Sequence, residues 1–493
     1  MSTPMQSSNS VEKRTADPNE VSPAISMLEA SIVPEWPRSW KAYAALVAGF
    51  FMMFNCWGMV NAYGAFLGLY DEHLLTKNSD LQLSLVGATE SFLLLFPSIF
   101  AGRLLDARRH YYLGFTGFLL LFLGYFSLSF AGGKGGKDQG NYGLVWLTSG
   151  LLAGLGMTCF FTYSSHNVIQ WFPRKRYIAA GITSTGAGAG GIVYPLTFKF
   201  LVANFGFPKG VRILSAIVAG TTLIAFFLGM PCKEVPRRKV GAVFQFSTWI
   251  DKQAFRNKSY TLYVIAVALV YGGFYSVAFH VTEWAEVKGF GTQEDVPGGT
   301  GARPGNSGFR TFWFLAIMNG TSIIGRLASA FFATHLSNPI VVHTATCFLA
   351  SLLAFFFWPF AQNNAGAIAF VSIFGVLGGS MLSLPASGVA YLIPAERHSH
   401  VGQWTGMMWS GVSIFALVGP LIAAALKRRF GMDAVGYWCG ATMLLTAILF
   451  AWSMFLKRKE DKRSTTSTLV GDGEKSGTQS PASPASKCAD TNV

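Results

Sequence analysis

Trp171–Phe172–Pro173–Arg174–Lys175–Arg176 leads straight into Tyr177–Ile178–Ala179–Ala180–Gly181, then into Gly186–Ala187–Gly188–Ala189–Gly190–Gly191 and Tyr194–Pro195. Three consecutive cations cannot sit in hydrocarbon, so Arg174–Arg176 mark a membrane surface. The apolar run after them is long enough to span a bilayer, and its glycines let neighbouring helices approach backbone to backbone. A basic turn feeding a Gly-rich span is the pattern of a polytopic membrane protein with that turn in the cytosol.

Composition carries the same message across all 493 residues. The chain is 51% hydrophobic and only 13% charged, against about 25% charged in soluble domains. A soluble chain of this length needs a charged coat. The net charge of +14 falls between apolar runs rather than on one face, so cytosolic loops and anionic lipid explain it and nucleic acid does not. The six cysteines form no CxxC or Cys/His cluster, so no metal site, cofactor or disulfide framework is expected. No cleavable signal peptide is visible, which makes the first span the insertion signal.

Twelve apolar segments each approach or exceed the roughly 20 residues a spanning helix needs. They lie at about 41–70, 81–103, 110–131, 143–170, 177–202 and 212–231, then 259–284, 310–335, 339–361, 365–392, 401–427 and 434–456. The expected domains are a disordered tail at 1–38, a bundle at 39–231, a basic linker at 232–258, a bundle at 259–456 and a second disordered tail at 457–493. This predicts an all-α membrane protein of twelve transmembrane helices in two pseudo-symmetric six-helix bundles. With both termini in the cytosol, the inner side holds Arg38, Arg103, Arg108, Arg109, Arg174–Arg176, Lys233, Arg237–Lys239, Lys252, Arg256, Lys258, Arg397 and Lys457–Lys459. The outer loops hold only Lys77, Lys134, Lys137, Lys209, Arg212, Lys288 and Arg303, with Lys427–Arg428–Arg429 as the one dissenting cluster. The plasma membrane is the expected location, with a vacuolar or other internal membrane as the alternative.

Gly102–Arg103–Leu104–Leu105–Asp106–Ala107–Arg108–Arg109, between spans two and three, resembles the loop signature of the major facilitator superfamily. Gly102 is expected to permit a tight turn, and Asp106 to cap the next helix or pair with a cation. Gly102, Asp106, Arg108 and Arg109 are therefore the expected gating residues; the competing reading is a positive-inside loop with an incidental carboxylate. The corresponding Ala333–Thr334–His335–Leu336 has lost the acid.

The opening stretch resembles the fifth-helix signature of the monocarboxylate transporter family, an aromatic, a basic cluster, then alanine and spaced glycines. Phe172, Lys175, Arg176, Ala179, Gly181 and Gly186 match it, while Thr183 and Thr185 replace alanines. Before span one, Glu35–Trp36–Pro37–Arg38–Ser39–Trp40 keeps the family's acid and final tryptophan but not its glycines. The resemblance covers about 35–456 and is closest to the fungal branch.

Arg326 lies inside span eight, where an unpaired cation costs at least about 2.5 kcal/mol. Asn319 and Ser322 precede it by seven and four residues on the same helical face, so the stripe points away from lipid. A guanidinium suits a bidentate grip on a carboxylate. In the resembled family the matching arginine is held to bind the substrate carboxylate; the competing reading is a structural arginine. The family's animal members set an aspartate where Ser322 stands and a lysine near Ala65, and both are absent, which weakens the case for proton-coupled lactate or pyruvate transport.

Asn61, on a stripe with Trp57, Gly64 and Gly68, and Tyr163 and His166, on a stripe with Cys159 and Gln170, are further candidate substrate contacts; such stripes also serve helix packing. Glu90 and His166 are candidate proton carriers. Lys199, His280 and Glu283, near outer helix ends, are expected to snorkel. Gly186–Gly191 follows no strand and is not a dinucleotide loop, and no phosphate loop, nucleophile–base pair or metal cluster points to an enzyme.

The expectation is a secondary active transporter moving a small organic anion, a monocarboxylate or related acid, with protons as a possible co-substrate and lipid as its surroundings. Efflux of a carboxylated secondary metabolite and uptake of a vitamin-like anion such as riboflavin are the alternatives within transport. A non-transporting sensor of the same fold is the alternative outside it. The sequence leaves open whether an accessory subunit takes part.

Overall fold

A computed structural model describes residues 36–133, 135–231, 246–290 and 311–475. Glu35, Lys134, Lys233, Arg237–Lys239, Arg303, the linker's initial stretch (232–245), most of the long outer loop (291–310) and the outermost tails lie outside the described residues.

The described chain is helical throughout. The spans are α1 (Trp40–Leu69), α2 (Gln82–Asp106), α3 (His110–Ala131), α4 (Tyr142–Trp171), α5 and α6 together (Arg176–Leu228), α7 (Lys258–Val287), α8 (Phe312–Leu336), α9 (Pro339–Phe356), α10 (Asn364–Leu392), α11 (Val401–Phe430) and α12 (Asp433–Lys475). A straight helix of 53 residues would run about 80 Å, more than twice the hydrocarbon thickness. It does not run straight. Gly206 adopts φ 74°, ψ 167°, a conformation open to glycine, and breaks the run in two. A Cβ on Gly210 would stand 3.0 Å from the carbonyl carbon of Leu201, a contact that requires the chain to double back. The described residues thus make twelve crossings in the expected arrangement.

Local chemistry sets the helix starts. Ser39 caps α1, Asn257 caps α7, Asn338 with Pro339 after it opens α9, and Asn363 caps α10. Ser79 and Gln82 form a reciprocal capping box at the start of the second span. Proline accounts for the breaks. Pro97 has no N–H to offer the Leu93 carbonyl, which accepts instead from the Thr158 hydroxyl of α4. The neighbouring Phe96 carbonyl accepts from Ser410 of α11, in the other half. Pro385 likewise interrupts α10, between Ser383 and Leu392.

The glycines of the opening stretch serve two interfaces. A Cβ on Gly186 or Gly190 would strike the backbone of Phe50 or Phe54 on α1. On another face, a Cβ on Gly188 would lie 2.7 Å from Ile323 and 2.9 Å from the Asn319 carbonyl of α8, and one on Gly181 would lie 2.9 Å from the Arg326 carbonyl. α5 therefore packs backbone to backbone on α1 within its own half and on α8 across the divide. Upstream, Phe172 is buried beneath Trp36 and Tyr43, which pins the basic turn to the start of α1.

Several expectations change. α12 is drawn as helix through Lys475, past the expected end of the last span, with Lys457 and Asp461 paired at 2.8 Å one turn apart. His280 is buried and hydrogen-bonded to the Ser276 carbonyl, and Glu283 pairs with Lys427 at 2.6 Å; these two do not snorkel, and Lys427 of the dissenting cluster is neutralised by that pair.

Candidate functional site

Between the halves lies a cavity of about 830 Å³, counted out to its mouth. Its walls come from α1 (Trp57, Asn61), α4 (Phe161, Ser164), α5 (Thr183, Ser184), α7 (Tyr271, Tyr275), α8 (Asn319, Ser322, Arg326), α10 (Ser383) and α11 (Trp409).

Arg326 is 6% exposed and lines this space. Among the described residues no carboxylate pairs with it, none of the cavity-lining side chains is acidic, and its Nε has no acceptor. One helical turn and two turns away, Ser322 and Asn319 share the wall, as their spacing predicts. Asn61 donates to the Asn319 Oδ1 at 3.2 Å and so ties α1 to α8 across the divide. The Asn319 Nδ2 and the Trp409 Nε1 are buried without acceptors as well. All three orphaned groups are donors. Buried donors left unpaired are costly, and a ligand rich in acceptor oxygens would satisfy them.

Tyr163 and His166 do not reach this cavity. The Tyr163 hydroxyl donates to the Gly229 carbonyl at the end of α6, which makes it a packing residue in this arrangement. His166 faces the Gly102–Arg109 signature instead, with its Nε2 2.7 Å from Gln170 Nε2 and 3.9 Å from Asp106 Oδ1. His110 packs beside both, its ring 5.2 Å from Tyr163 and 6.1 Å from His166. Helical periodicity identified the stripe on α4; the face it presents depends on where α6 and α3 pack, which the spacing does not encode. Ala65, where the family carries a lysine, is also outside the cavity wall.

Glu90 occupies a separate, smaller space of about 190 Å³ inside the first half, with Tyr63, Tyr70, Tyr125 and Ser149. It is 2% exposed and accepts a 2.8 Å hydrogen bond from the Tyr125 hydroxyl.

The loop signature bridges the two halves, by a geometry other than the expected one. Gly102 lies within helix, and the left-handed turn residue is Arg108, at φ 56°. Gly102 is small for another reason: a Cβ there would meet the Gly402 carbonyl of α11. Asp106 does not cap the next helix. Its two carboxylate oxygens accept from the backbone N–H groups of Gly402, at 3.1 Å, and Gln403, at 2.9 Å, in the first turn of α11. The residue at the N-cap position of α11, His400, makes no side-chain cap there. Asp106 thus supplies from one half the cap that α11 lacks in the other, where the helix dipole also favours a negative charge. Arg108 and Arg109 flank this contact. The visible segment of the linker docks at the same place: Trp249 packs on Phe100 of α2 at 5.0 Å, Gln403 donates to the Thr248 carbonyl, and Trp404 donates to Asp251 at 3.1 Å. No spacing in the sequence indicated this docking, although the uncapped start of α11 was a usable signal.

Comparison with known proteins agrees with this architecture. A family model described as Major Facilitator Superfamily matches residues 43–416. The chain is 26% identical to MFS-type transporter 1 of Ophiocordyceps sp. (strain BCC 1869), covering 89% of this chain and 90% of that protein. It is 24% identical to the aspyridones efflux protein apdF of Emericella nidulans, covering 84% and 77% respectively. The crystal structure of the E. coli fucose:proton symporter FucP superposes with a TM-score of 0.59 at 16% identity, over 83% of this chain and 98% of that one. With a family model spanning most of its length and twelve crossings around a central cavity, this chain belongs to the Major Facilitator Superfamily.

Proposed function

We propose that this transporter exports an organic anion of secondary metabolism by alternating access, with Arg326 holding the anionic group of the cargo. The observation that carries this reading is the buried guanidinium: it lines the central cavity and has no carboxylate partner among the described residues. An unpaired cation at that depth is tolerable when a cargo of opposite sign neutralises it. The direction rests on relatives, two of which carry the name of an efflux protein. The small-monocarboxylate reading is less well supported, because the cavity lacks the acid and the lysine of the resembled family.

The halves would rock about the α5–α8 and α2–α11 contacts, exposing the cavity to one side and then the other. The Asp106 contact with α11 holds one end shut. In this reading that end faces the cytosol, both termini lie inside, and the membrane is the plasma membrane. Glu90 is the residue placed to carry a coupled proton, because it is a carboxyl buried inside the first half, beside a small pocket of its own. Proteoliposomes loaded with a panel of radiolabelled organic acids, with and without an imposed proton gradient, test this reading. Saturable acid transport that Arg326→Ala abolishes supports it; equal movement of the acids and their amides overturns it.

A further inference from the structure

Five aromatic rings close a circuit around the cavity. Trp57 stacks on Tyr275 at 5.8 Å with 13° between planes, and meets Phe161 edge-on at 5.6 Å. Phe161 meets Trp409 at 4.9 Å, Trp409 meets Tyr271 at 5.6 Å, and Tyr271 returns to Tyr275 at 5.7 Å. Trp57 and Phe161 come from the first half and the other three from the second, and all five line the cavity with Arg326.

Two contacts in the circuit, Trp57 with Tyr275 and Phe161 with Trp409, join opposite halves. Along their helices Phe161, Trp409 and Arg326 stand nearer the Asp106 end, whereas Trp57 and Tyr275 stand farther from it. Rocking the halves must pull these two pairs open in turn. Rings drawn apart lose edge and face contacts that a saturated chain replaces poorly and another π-system replaces well. The donor inventory adds a second requirement. Arg326 Nε, Asn319 Nδ2 and Trp409 Nε1 are all unpaired, and they belong to three side chains on two helices. One carboxylate engaging Arg326 leaves the others without acceptors. The cargo needs further oxygens.

From this geometry we infer that the cargo is a flat aromatic acid carrying at least one additional acceptor oxygen, such as a hydroxyl or carbonyl on the ring system. The inference rests on the anion reading of Arg326 and deepens it from charge to shape. A small aliphatic acid satisfies the guanidinium and leaves the rings and the remaining donors unused.

The test uses the full chain in nanodiscs and radiolabelled 6-hydroxy-2-naphthoate as the probe, displaced by unlabelled 2-naphthoate, decalin-2-carboxylate and 6-hydroxy-2-naphthamide. The expected order places the hydroxynaphthoate first, with the saturated acid about tenfold or more weaker. Trp57→Leu should weaken the naphthoates about tenfold and leave the decalin acid unchanged, while Trp57→Phe, which keeps a ring, should lie between. Equal displacement by the saturated acid overturns the aromatic inference and leaves the anion reading standing. Equal displacement by the amide overturns the anion reading itself. Absence of saturable probe binding to protein that remains monodisperse also overturns the inference.

Discussion

The Asp106 carboxylate accepts a 2.9 Å hydrogen bond from the backbone N–H of Gln403, a residue in the opposite half of the molecule. A charge at a helix N-terminus is worth about 0.3–1 kcal/mol at the surface and up to about 2 kcal/mol when partly buried. Asp106→Asn keeps an acceptor oxygen but discards the charge. The balance between the two orientations of the halves should shift about tenfold away from the latched one. Spin-label distances between the Asp106-side ends of α2 and α11 would show it, and turnover should change more than KM. A change confined to KM would count against latching.

Arg326→Ala removes a buried cation that has no carboxylate partner among the described residues, so folding should not suffer. Transport of an acidic cargo should fall about 100-fold in kcat/KM, the size of one charged hydrogen-bonded grip. Arg326→Lys, which keeps the charge but not the planar fork, should recover only a fraction of it. Thermal unfolding in detergent separates the readings: a large loss of stability would mark Arg326 as structural.

Gly186→Val forces a branched side chain into the Phe50 carbonyl, with the Phe54 amide nitrogen only 3.0 Å from the first added carbon. Overpacking of this kind costs about 1–3 kcal/mol or more. Gly64, on the neighbouring α1, has nothing within 4 Å, so Gly64→Ala should be neutral or slightly stabilising. Melting of the two variants side by side checks the contrast.

Asp251 lies in the linker, outside the spans. Burial acts to raise its carboxyl, but the Trp404 indole, the Gln253 N–H, Arg397 and His400 outweigh burial and hold it below the usual carboxylate range. The sign follows: a lowered folded value stabilises the docked linker fully above the ordinary value of about 3.9, and that contribution is lost as pH falls through the lowered one. Protection of Phe246–Arg256 against hydrogen exchange, taken relative to the intrinsic rate at each pH, should therefore hold through neutral pH and fall only in strong acid. Asp251→Asn should lower that protection at every pH.

Glu90→Gln distinguishes a proton carrier from a packing carboxyl. If Glu90 couples cargo to protons, the variant should still exchange labelled for unlabelled cargo but should no longer respond to a pH gradient. Loss of both activities together would assign Glu90 to structure.

The fold was legible because hydrocarbon imposes a coarse rule: apolar runs of spanning length separated by charge. Arg326, Asn319 and Ser322 were legible as a stripe, since one helix's geometry is encoded by spacing. Tyr163 and His166 met the same criterion and turned elsewhere, because facing depends on partner helices distant in sequence. The aromatic circuit was invisible for that reason too: its rings come from four helices and no local pattern joins them. The true role of Gly102 was hidden because glycine signals a turn and a close approach alike.

α5 spends its glycines on two neighbours, α1 and α8, and offers the cavity only the short side chains Ala180, Thr183 and Ser184. Its freedom to vary is correspondingly narrow. A mutational library across the helix should find the glycine positions intolerant, and selectivity variants should cluster at those three sites. Any lineage adapting to a bulkier cargo would have to enlarge the chamber from its other walls, leaving this helix as a nearly invariant rail.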